Sequence, residues 1–497
     1  NLTIWLEDND MANKNILKQA GDYVLDECVI VSYKTAENNK PLGLDISKIV
    51  GSIELTESIF DSSMVGKIQV YDAQDVRTLL PITGMEKLHL KFSTPGFNGV
   101  NFTEESGKQF HIYKIEKINQ DPNAQRAQGY DIYFTSKEYY YNYMTKVSKA
   151  YKGPIENAIE DILRNKKYLN STKALTYEPT GTNAKYVIPN LRPFEAIDYL
   201  CTQSISKKYK NAGYVFYETP AGYFFRSLES MYAVDGAAGR PHKFKYQYQI
   251  MNVDNDVDKN MHGVIKYTLG NNINVIQNLQ RGMYANKLTV HDAFNKTLKT
   301  HTFDYYKTFG DYFHSETEKG NRTYTKQLLP YVPFDDTNKD ISQFPDSKSM
   351  VVTETSKVHN DYEFVPTKDT LPIKTSQRQS LHNNLLSMIV HGNSVLGAGD
   401  IISFDLPLLK PIREGETQQP NPYISGRYLI TSIKHMISTE MGKYQMSLKC
   451  SKDAVKEGYI PETNAYQSKK EEPAVYDIYE EDRLILSKID INPVDYT

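Results

Sequence analysis

Gly84-Met85-Glu86-Lys87-Leu88-His89-Leu90-Lys91-Phe92, followed by Phe110-His111-Ile112-Tyr113-Lys114-Ile115 and then Tyr130-Asp131-Ile132-Tyr133-Phe134-Thr135-Ser136-Lys137, is the stretch on which the fold turns. Apolar and polar residues alternate along each piece, the period of a half-buried strand. A fainter copy stands near the other end of the chain. There Gly397-Ala398-Gly399-Asp400-Ile401-Ile402-Ser403-Phe404 is followed by Tyr428-Leu429-Ile430-Thr431-Ser432-Ile433 and by Tyr444-Gln445-Met446-Ser447-Leu448-Lys449-Cys450-Ser451-Lys452. Each copy reads as a turn, an alternating strand, a second strand, and a third strand that begins with Tyr and ends in Ser-Lys. Two related β-modules in one chain point to symmetry rather than catalysis.

Around the first copy the β pattern extends from Cys28 to Tyr133, through Ile53/Leu55 and Ile68/Val70, with Pro81-Ile82-Thr83-Gly84 as a turn. Closely spaced strands with one apolar face predict a small barrel or sandwich. The period then changes. After Gly153-Pro154, residues Ile155, Ala158, Ile159, Ile162 and Leu163 share one helical face, with Pro154 suited to a first helical position. A second helix is predicted from Pro193 with Phe194, Ile197, Leu200, Cys201 and Ile205 inward, and then a hairpin over 214–228 that turns at Thr219-Pro220-Ala221-Gly222. Further on, a helix is predicted around Val275 to Leu279, a strand around Leu288 to Val290, and another helix over Gln377 to Leu386.

The expected architecture is therefore α+β and β-rich: two small antiparallel β-barrel domains, an α+β domain between them and a loop-rich insertion. The expected divisions are an arm at 1–20, a first β-domain at 21–145 and an α+β domain at 146–260. A second β-domain in two parts follows, 261–305 and 376–457, split by the insertion at 306–375. An extended tail fills 458–497.

Composition narrows the function. With 58 basic and 61 acidic residues the chain lacks the basic excess of a nucleic-acid-binding surface. There are 38 Tyr against a single Trp, Trp5, and Tyr suits strands and wet contact surfaces because it joins an apolar body to a polar tip. Cys28, Cys201 and Cys450 are odd in number and widely spaced, which predicts neither a disulfide framework nor a zinc site. No secretory signal is visible and the apolar runs are too short to span a bilayer, so synthesis in a reducing cytoplasm is expected.

Candidate chemistry is sparse. There is no HExxH, GxSxG, Walker A or Rossmann pattern. Gly392-Asn393-Ser394-Val395-Leu396-Gly397-Ala398-Gly399-Asp400 lacks the Lys-Ser/Thr that grips phosphate and reads as a turn between two strands. His291-Asp292 would point to opposite faces of a strand, which favours structural use. Glu54, Glu57 and Asp61, and likewise Glu104 and Glu105, form loose acidic groups rather than two carboxylates at a defined separation in a cleft. The acidic segment from Glu471-Glu472 to Glu480-Glu481-Asp482, with Tyr476 and Tyr479, reads as a solvated tail or a docking strap. No catalytic, cofactor-binding or metal residue is assigned.

Several local patterns carry a family resemblance. Glu57-Ser58-Ile59-Phe60-Asp61, Gly66 to Asp72 and Leu80 to Glu86 resemble the opening barrel of baseplate central hub proteins from contractile-tailed bacteriophages, the T-even-type hub family. The hairpin from Phe216 to Ser230, the segment Val390-His391-Gly392-Asn393 with Leu396, Gly399-Asp400, Ile402 and Pro407, and Gly426 to Ile430 with His435 and Tyr444-Gln445-Met446 are similar to elements of the same proteins, in the same order. The resemblance implies a non-enzymatic virion subunit of the tail baseplate, without cofactor. It would be a homotrimer whose two barrel-like tube domains per chain build a pseudo-sixfold ring. Such a ring would join a sixfold tail tube to a threefold central spike, touch baseplate wedge components and let DNA slide through without specific binding. Residues 84–137 and 397–452 would then superimpose, related by about 60° around the threefold axis. The alternatives are a tail-associated cell-wall or glycan hydrolase and a peripheral receptor-binding tail protein.

Overall fold

The computed structural model describes residues 16–35, 41–120, 127–181, 184–234, 238–248, 256–270, 274–293, 295–317, 337–353, 367–382, 384–409 and 419–455. The tail at 458–497, with its acidic and tyrosine-bearing segment, lies outside them, as does the arm up to residue 15.

The first module opens with β1 (Val24–Thr35), β2 (Pro41–Asp45), β3 (Val50–Ser58) and β4 (Val65–Asp72). It continues with β5 (Lys87–Ser93), β6 (Val100–Phe102), β7 (Phe110–Gln120) and β8 (Gln128–Ser136). These strands form where the alternation places them: Ile53, Leu55, Ile68, Leu88, Leu90, Phe92, Ile112, Ile132 and Phe134 are all buried. Helix α1 (Lys137–Met144) leads into β9 (Val147–Gly153) and α2 (Ile155–Arg164), whose predicted stripe is buried. Pro154 stands just before α2 rather than inside it. After β10 (Leu175–Tyr177) and β11 (Ala184–Leu191), α3 (Pro193–Gln203) does begin on its proline, where the missing N–H costs nothing. The expected hairpin follows as β12 (Tyr214–Thr219) and β13 (Gly222–Ser227), and β14 (Ala233–Val234) pairs with β15 (Ala238–Gly239).

The second module is assembled from distant pieces: β16 (Phe244–Gln247) and β17 (Val264–Leu269), then, beyond an intervening unit, β21 (Leu385–His391), β22 (Ile401–Asp405), β23 (Gly426–Ser438) and β24 (Lys443–Ser451). The intervening unit contains α4 (Val275–Arg281) and a three-stranded sheet of β18 (Ala285–Asp292), β19 (Thr297–Asp304) and β20 (Ser349–Thr353). The stretch read as a loop-rich insertion thus supplies a strand, β20, which pairs with β18; β18 and β19 belong to this sheet rather than to the second module. The helix expected over Gln377–Leu386 is α5 (Thr367–Ser380). Leu385-Leu386-Ser387-Met388-Ile389-Val390 alternates in burial and belongs to β21, so the strand period wins there.

The internal echo is carried by backbone pairing. In the first module the order is β3-β4-β8-β7-β5, and in the second β17-β21-β24-β23-β22, all antiparallel. Even the irregularities recur. β3 is bulged between Val50 and Ser52, and β17 between Val264 and Lys266. β7 is bulged between Ile112 and Lys114, and β23 between Ile430 and Ser432. Ile112 N–H donates to Glu86 O at 3.0 Å, and Ile430 N–H to Asp400 O at 2.9 Å. Both acids also take backbone N–H groups of the preceding turn, Glu86 from Gly84 at 2.8 Å and Asp400 from Gly397 at 2.9 Å. One expected match fails. With the bulges aligned, Tyr130 falls level with Met446, and Tyr444 lies two residues earlier along its strand. The sixth strands differ too, because β16 joins β22 in parallel whereas β1 joins β5 antiparallel.

Two separate closed barrels are not what the pairing shows. Among the described residues the two modules form one fourteen-stranded sheet, because β3 pairs with β23 and does not curl back on its own module. One apolar core runs through both modules, and the chain is β-rich with helices, of mixed α+β class. At the junction Ile53 and Ile437 stand directly opposite and are each 1% exposed. Truncating a fully buried Ile removes its transfer energy and leaves a cavity, at a cost of about 2–5 kcal/mol. Ile437→Ala is therefore expected to lower the unfolding free energy measured by urea titration by that amount. Because the core is shared, both modules should unfold in a single transition, monitored by far-UV circular dichroism and tyrosine fluorescence together.

Candidate functional site

The β3–β23 ladder runs from Ser432 opposite Ser58 to Ser438 opposite Ser52. Its two faces differ. Leu55, Ile53, Ile433 and Ile437 point into the core, each worth about 1.5–3 kcal/mol of apolar burial. The other face carries Glu54, Thr56, Lys67, Tyr133, Ser432, Lys434, Ser447 and Lys449 around a shallow groove that crosses the junction. Two of its lysines are paired across strands: Lys434 with Glu54 at 2.9 Å and Lys67 with Asp131 at 3.7 Å. Such partly exposed pairs add little stability, and with Lys449 also on the groove the surface is polar and richer in Lys than in Glu or Asp.

At one end of the junction a buried polar group caps the core. Glu57 accepts the Ala398 N–H at 3.2 Å and lies 3.6 Å from His435 Nε2, while His435 Nδ1 lies 2.7 Å from the Tyr444 hydroxyl. Burial pushes the Glu57 carboxyl above the usual carboxylate range, against the pull of His435.

The β12–β13 hairpin sits between the modules and grips both. Toward the first, Glu218 accepts the Met64 N–H and the Ser136 hydroxyl, each at 2.9 Å, and the buried Lys173 ammonium bridges Glu218 and Glu138, the latter at 2.7 Å. Burial disfavours charge on all three groups. Two carboxylates around one ammonium nevertheless keep Lys173 protonated, and its charge and hydrogen bonds hold Glu138 below its ordinary range. Burial drives Glu218 upward. Toward the second module, Arg226 of β13 donates to Gly399 O at 3.3 Å; beyond the hairpin, Arg240 donates to the same oxygen at 3.0 Å and pairs with Asp400 at 3.1 Å, and Lys243 pairs with Asp400 at 2.8 Å. Gly399, at φ +84°, lies under Tyr217, and a Cβ there would come within 2.4 Å of the Tyr217 oxygen. Ile59, Tyr217, Leu228, Met231, Ile401 and Leu429 close an apolar cluster where the three parts meet. A second buried pair, Lys452 with Glu316 at 2.7 Å, fixes the loop after β19 to the end of β24.

The residues weighed as catalytic candidates are dispersed. Glu54 lies on the solvent face, Glu57 is buried and Asp61 is exposed, so the three do not converge. Glu104 and Glu105 stand on an exposed turn. His291 is exposed, whereas Asp292 is buried and accepts from Asn295 N–H at 3.1 Å and Nδ2 at 2.7 Å, a turn-stabilising use. The glycine-rich 392–400 segment is the turn between β21 and β22. The Lys173–Glu138–Glu218 cluster was not legible in sequence, since its members are far apart and of common type. The only trace is the Ser-Lys ending of each third strand: Ser136 and Lys452 occupy matching positions, and each binds a buried glutamate. No helix among the described residues is long and apolar enough to cross a membrane.

No family model matches this chain, and no curated protein matches it. Solved structures do resemble it in part. The tail protein from Neisseria meningitidis MC58 is 8% identical with a TM-score of 0.46, over 87% of this chain and 97% of that one. The 43 kDa tail protein of prophage MuSo2 from Shewanella oneidensis is 9% identical with a TM-score of 0.46, over 86% and 98%. Prophage tail protein gp18 from Listeria monocytogenes EGD-e is 9% identical with a TM-score of 0.40, over 85% and 94%.

Two outcomes test the electrostatics of the site. Lys173→Met strands two buried carboxylates without a cation and is expected to cost about 3–5 kcal/mol by urea unfolding; adding Glu138→Gln and Glu218→Gln should restore most of it. His111, facing this cluster from β7, is pushed down to about 4 by burial and by Lys87, Lys137 and Lys173. Its folded-state value lies below the ordinary value of about 6.5, so the unfolded chain binds the proton first. Its stability contribution is full above about pH 6.5 and is lost as pH falls toward about 4. The melting temperature of His111→Gln should therefore fall less between pH 7 and pH 5 than that of the unsubstituted protein.

Proposed function

We propose that this chain is a non-enzymatic structural subunit of a phage tail, the central hub of a contractile baseplate. Three copies form a ring with two tube domains per chain, giving pseudo-sixfold symmetry. One side receives the tail tube and the other the threefold spike, with wedge components around it, in a virion assembled in the host cytoplasm. The observation that carries this reading is the repeated five-strand unit, joined to its own copy edge to edge through β3 and β23. A unit that already binds a copy of itself through a strand edge is suited to building a larger ring, since closed rings need complementary surfaces at each step. The order of the hub-like sequence patterns along the chain supports the same reading.

In this proposal 21–145 is one tube domain, and the second is built from β16, β17 and the strands of 376–457, with the unit of α4, β18, β19 and β20 set between its pieces. The α+β domain at 146–260 faces the spike. The solvent face of the junction lines the channel. There Glu54 and Asp131 offset Lys434 and Lys67, which weakens the hold on a phosphate backbone by counterion release.

Light scattering on the purified full-length chain is expected to give three times the 57.0 kDa chain mass, alone or on addition of the spike protein. A monomer that persists with spike present, or a micrograph placing the chain at the tail periphery, overturns the proposal. Zymography on host cell wall is expected to show no lysis.

A further inference from the structure

If one edge of each repeat is joined within the chain, the matching edges of the other repeat are left over. β3 gives its outer edge to the C-terminal half of β23. The counterpart of β3 is β17, which pairs with β21 on one side; on the other, among the described residues, β16 reaches only its start, through the bridge of Gln247 to Gly263. The counterpart of the C-terminal half of β23 is the C-terminal half of β7. There β7 pairs with β8 alone, because β5 reaches only Phe110 and His111. Among the described residues, both edges beyond that bridge carry backbone N–H and C=O groups with no strand partner, the natural template for a further strand.

We infer that residues 267–270, from the end of β17 of one copy, pair antiparallel with residues 116–120 of β7 in a second copy of this chain, repeating the internal β3–β23 junction. The shared bulges fix the register. Val50 and Ser52 match Val264 and Lys266, so Glu54 corresponds to Thr268 and Thr56 to Gly270. On the other strand Lys434 corresponds to Glu116. Past a second irregularity in β7, where Lys117 has φ 54°, Met436 corresponds to Asn119. The internal pairs Met436–Glu54 and Lys434–Thr56 thus place Asn119 opposite Thr268, and Glu116 opposite Gly270, of the second copy.

Exposure supports the occupant. At the internal junction Leu55 is 0% and His435 1% exposed. On the spare edge of β7, Ile118 is 50% exposed, a large apolar side chain that a joining strand would cover. A foreign partner would have no reason to fit both edges, whereas a second copy brings one edge for each. The contact is heterologous, so it closes into a ring or runs on as a filament; closure at three copies rests on the hub reading above.

The test is Asn119→Cys with Thr268→Cys, both exposed sites, in a chain whose native Cys28, Cys201 and Cys450 are buried. Mild oxidation is expected to convert the double variant to a covalent trimer on non-reducing gels, while each single variant stays uncrosslinked. If the double variant is trimeric by light scattering yet does not crosslink, the edge pairing is overturned and the hub reading stands. If the unsubstituted chain is monomeric with spike present, both fall. Residue-resolved hydrogen exchange on the unsubstituted protein reads the same contact without substitution. A strand paired on both sides protects consecutive amides over 267–270, and protection at alternate amides only overturns the pairing.

Discussion

The pairing of β3 with β23 is the constraint from which the rest of the molecule follows. It sets two repeats side by side in one sheet, merges their cores, and brings Glu57 against the β21–β22 turn. It also decides which side of every strand meets solvent. Strand side chains alternate in period two, so a one-residue slip at the junction would turn the apolar row of Ile53, Leu55, Ile433 and Ile437 outward and the Glu54–Lys434 row inward. The penalty for that exchange makes the register strongly specified.

The hairpin of β12 and β13 depends on this arrangement and reinforces it. One end is tied to the first module through Glu218 and Lys173, and the other to the second through Arg226, Arg240 and Asp400. Charged groups this deeply buried are costly unless each is matched. They are matched only when both modules and the hairpin take up their relative positions. The network therefore acts for specificity of the arrangement more than for net stability, in keeping with a protein whose proposed work is to hold a fixed geometry between unlike partners.

Much of the fold is legible in sequence wherever one physical signal dominates. The alternation of Leu88, Leu90 and Phe92 and the stripe of Ile155, Ile159, Ile162 and Leu163 each become the strand or helix they predict. Signals fail where two compete. Leu385-Leu386 suits a helix by composition, but the alternation that follows claims it for β21. Tyr130 and Tyr444 look equivalent by spacing, yet the ladder shifts them apart. Tyr130 bonds to Asp72 at 3.2 Å, while the Tyr444 ring lies where a Cβ on Gly392 would be, 2.0 Å from that ring. The buried charge cluster has no sequence signature, since Glu138, Lys173 and Glu218 are ordinary residues until folding removes water from around them.

By itself the sequence determined that this is a β-rich chain with two related modules, two amphipathic helices and a hairpin between them. Periodicity and turn chemistry are local properties, written within a dozen residues of where they act. Only the tertiary structure decided that the modules share one sheet instead of closing as separate barrels, that β16 is drawn into the second module, and which two edges lack a strand partner among the described residues. Those outcomes depend on which edge meets which, and backbone N–H and C=O groups are the same at every residue. Their choice of partner is settled by the packing of side chains far apart in the chain.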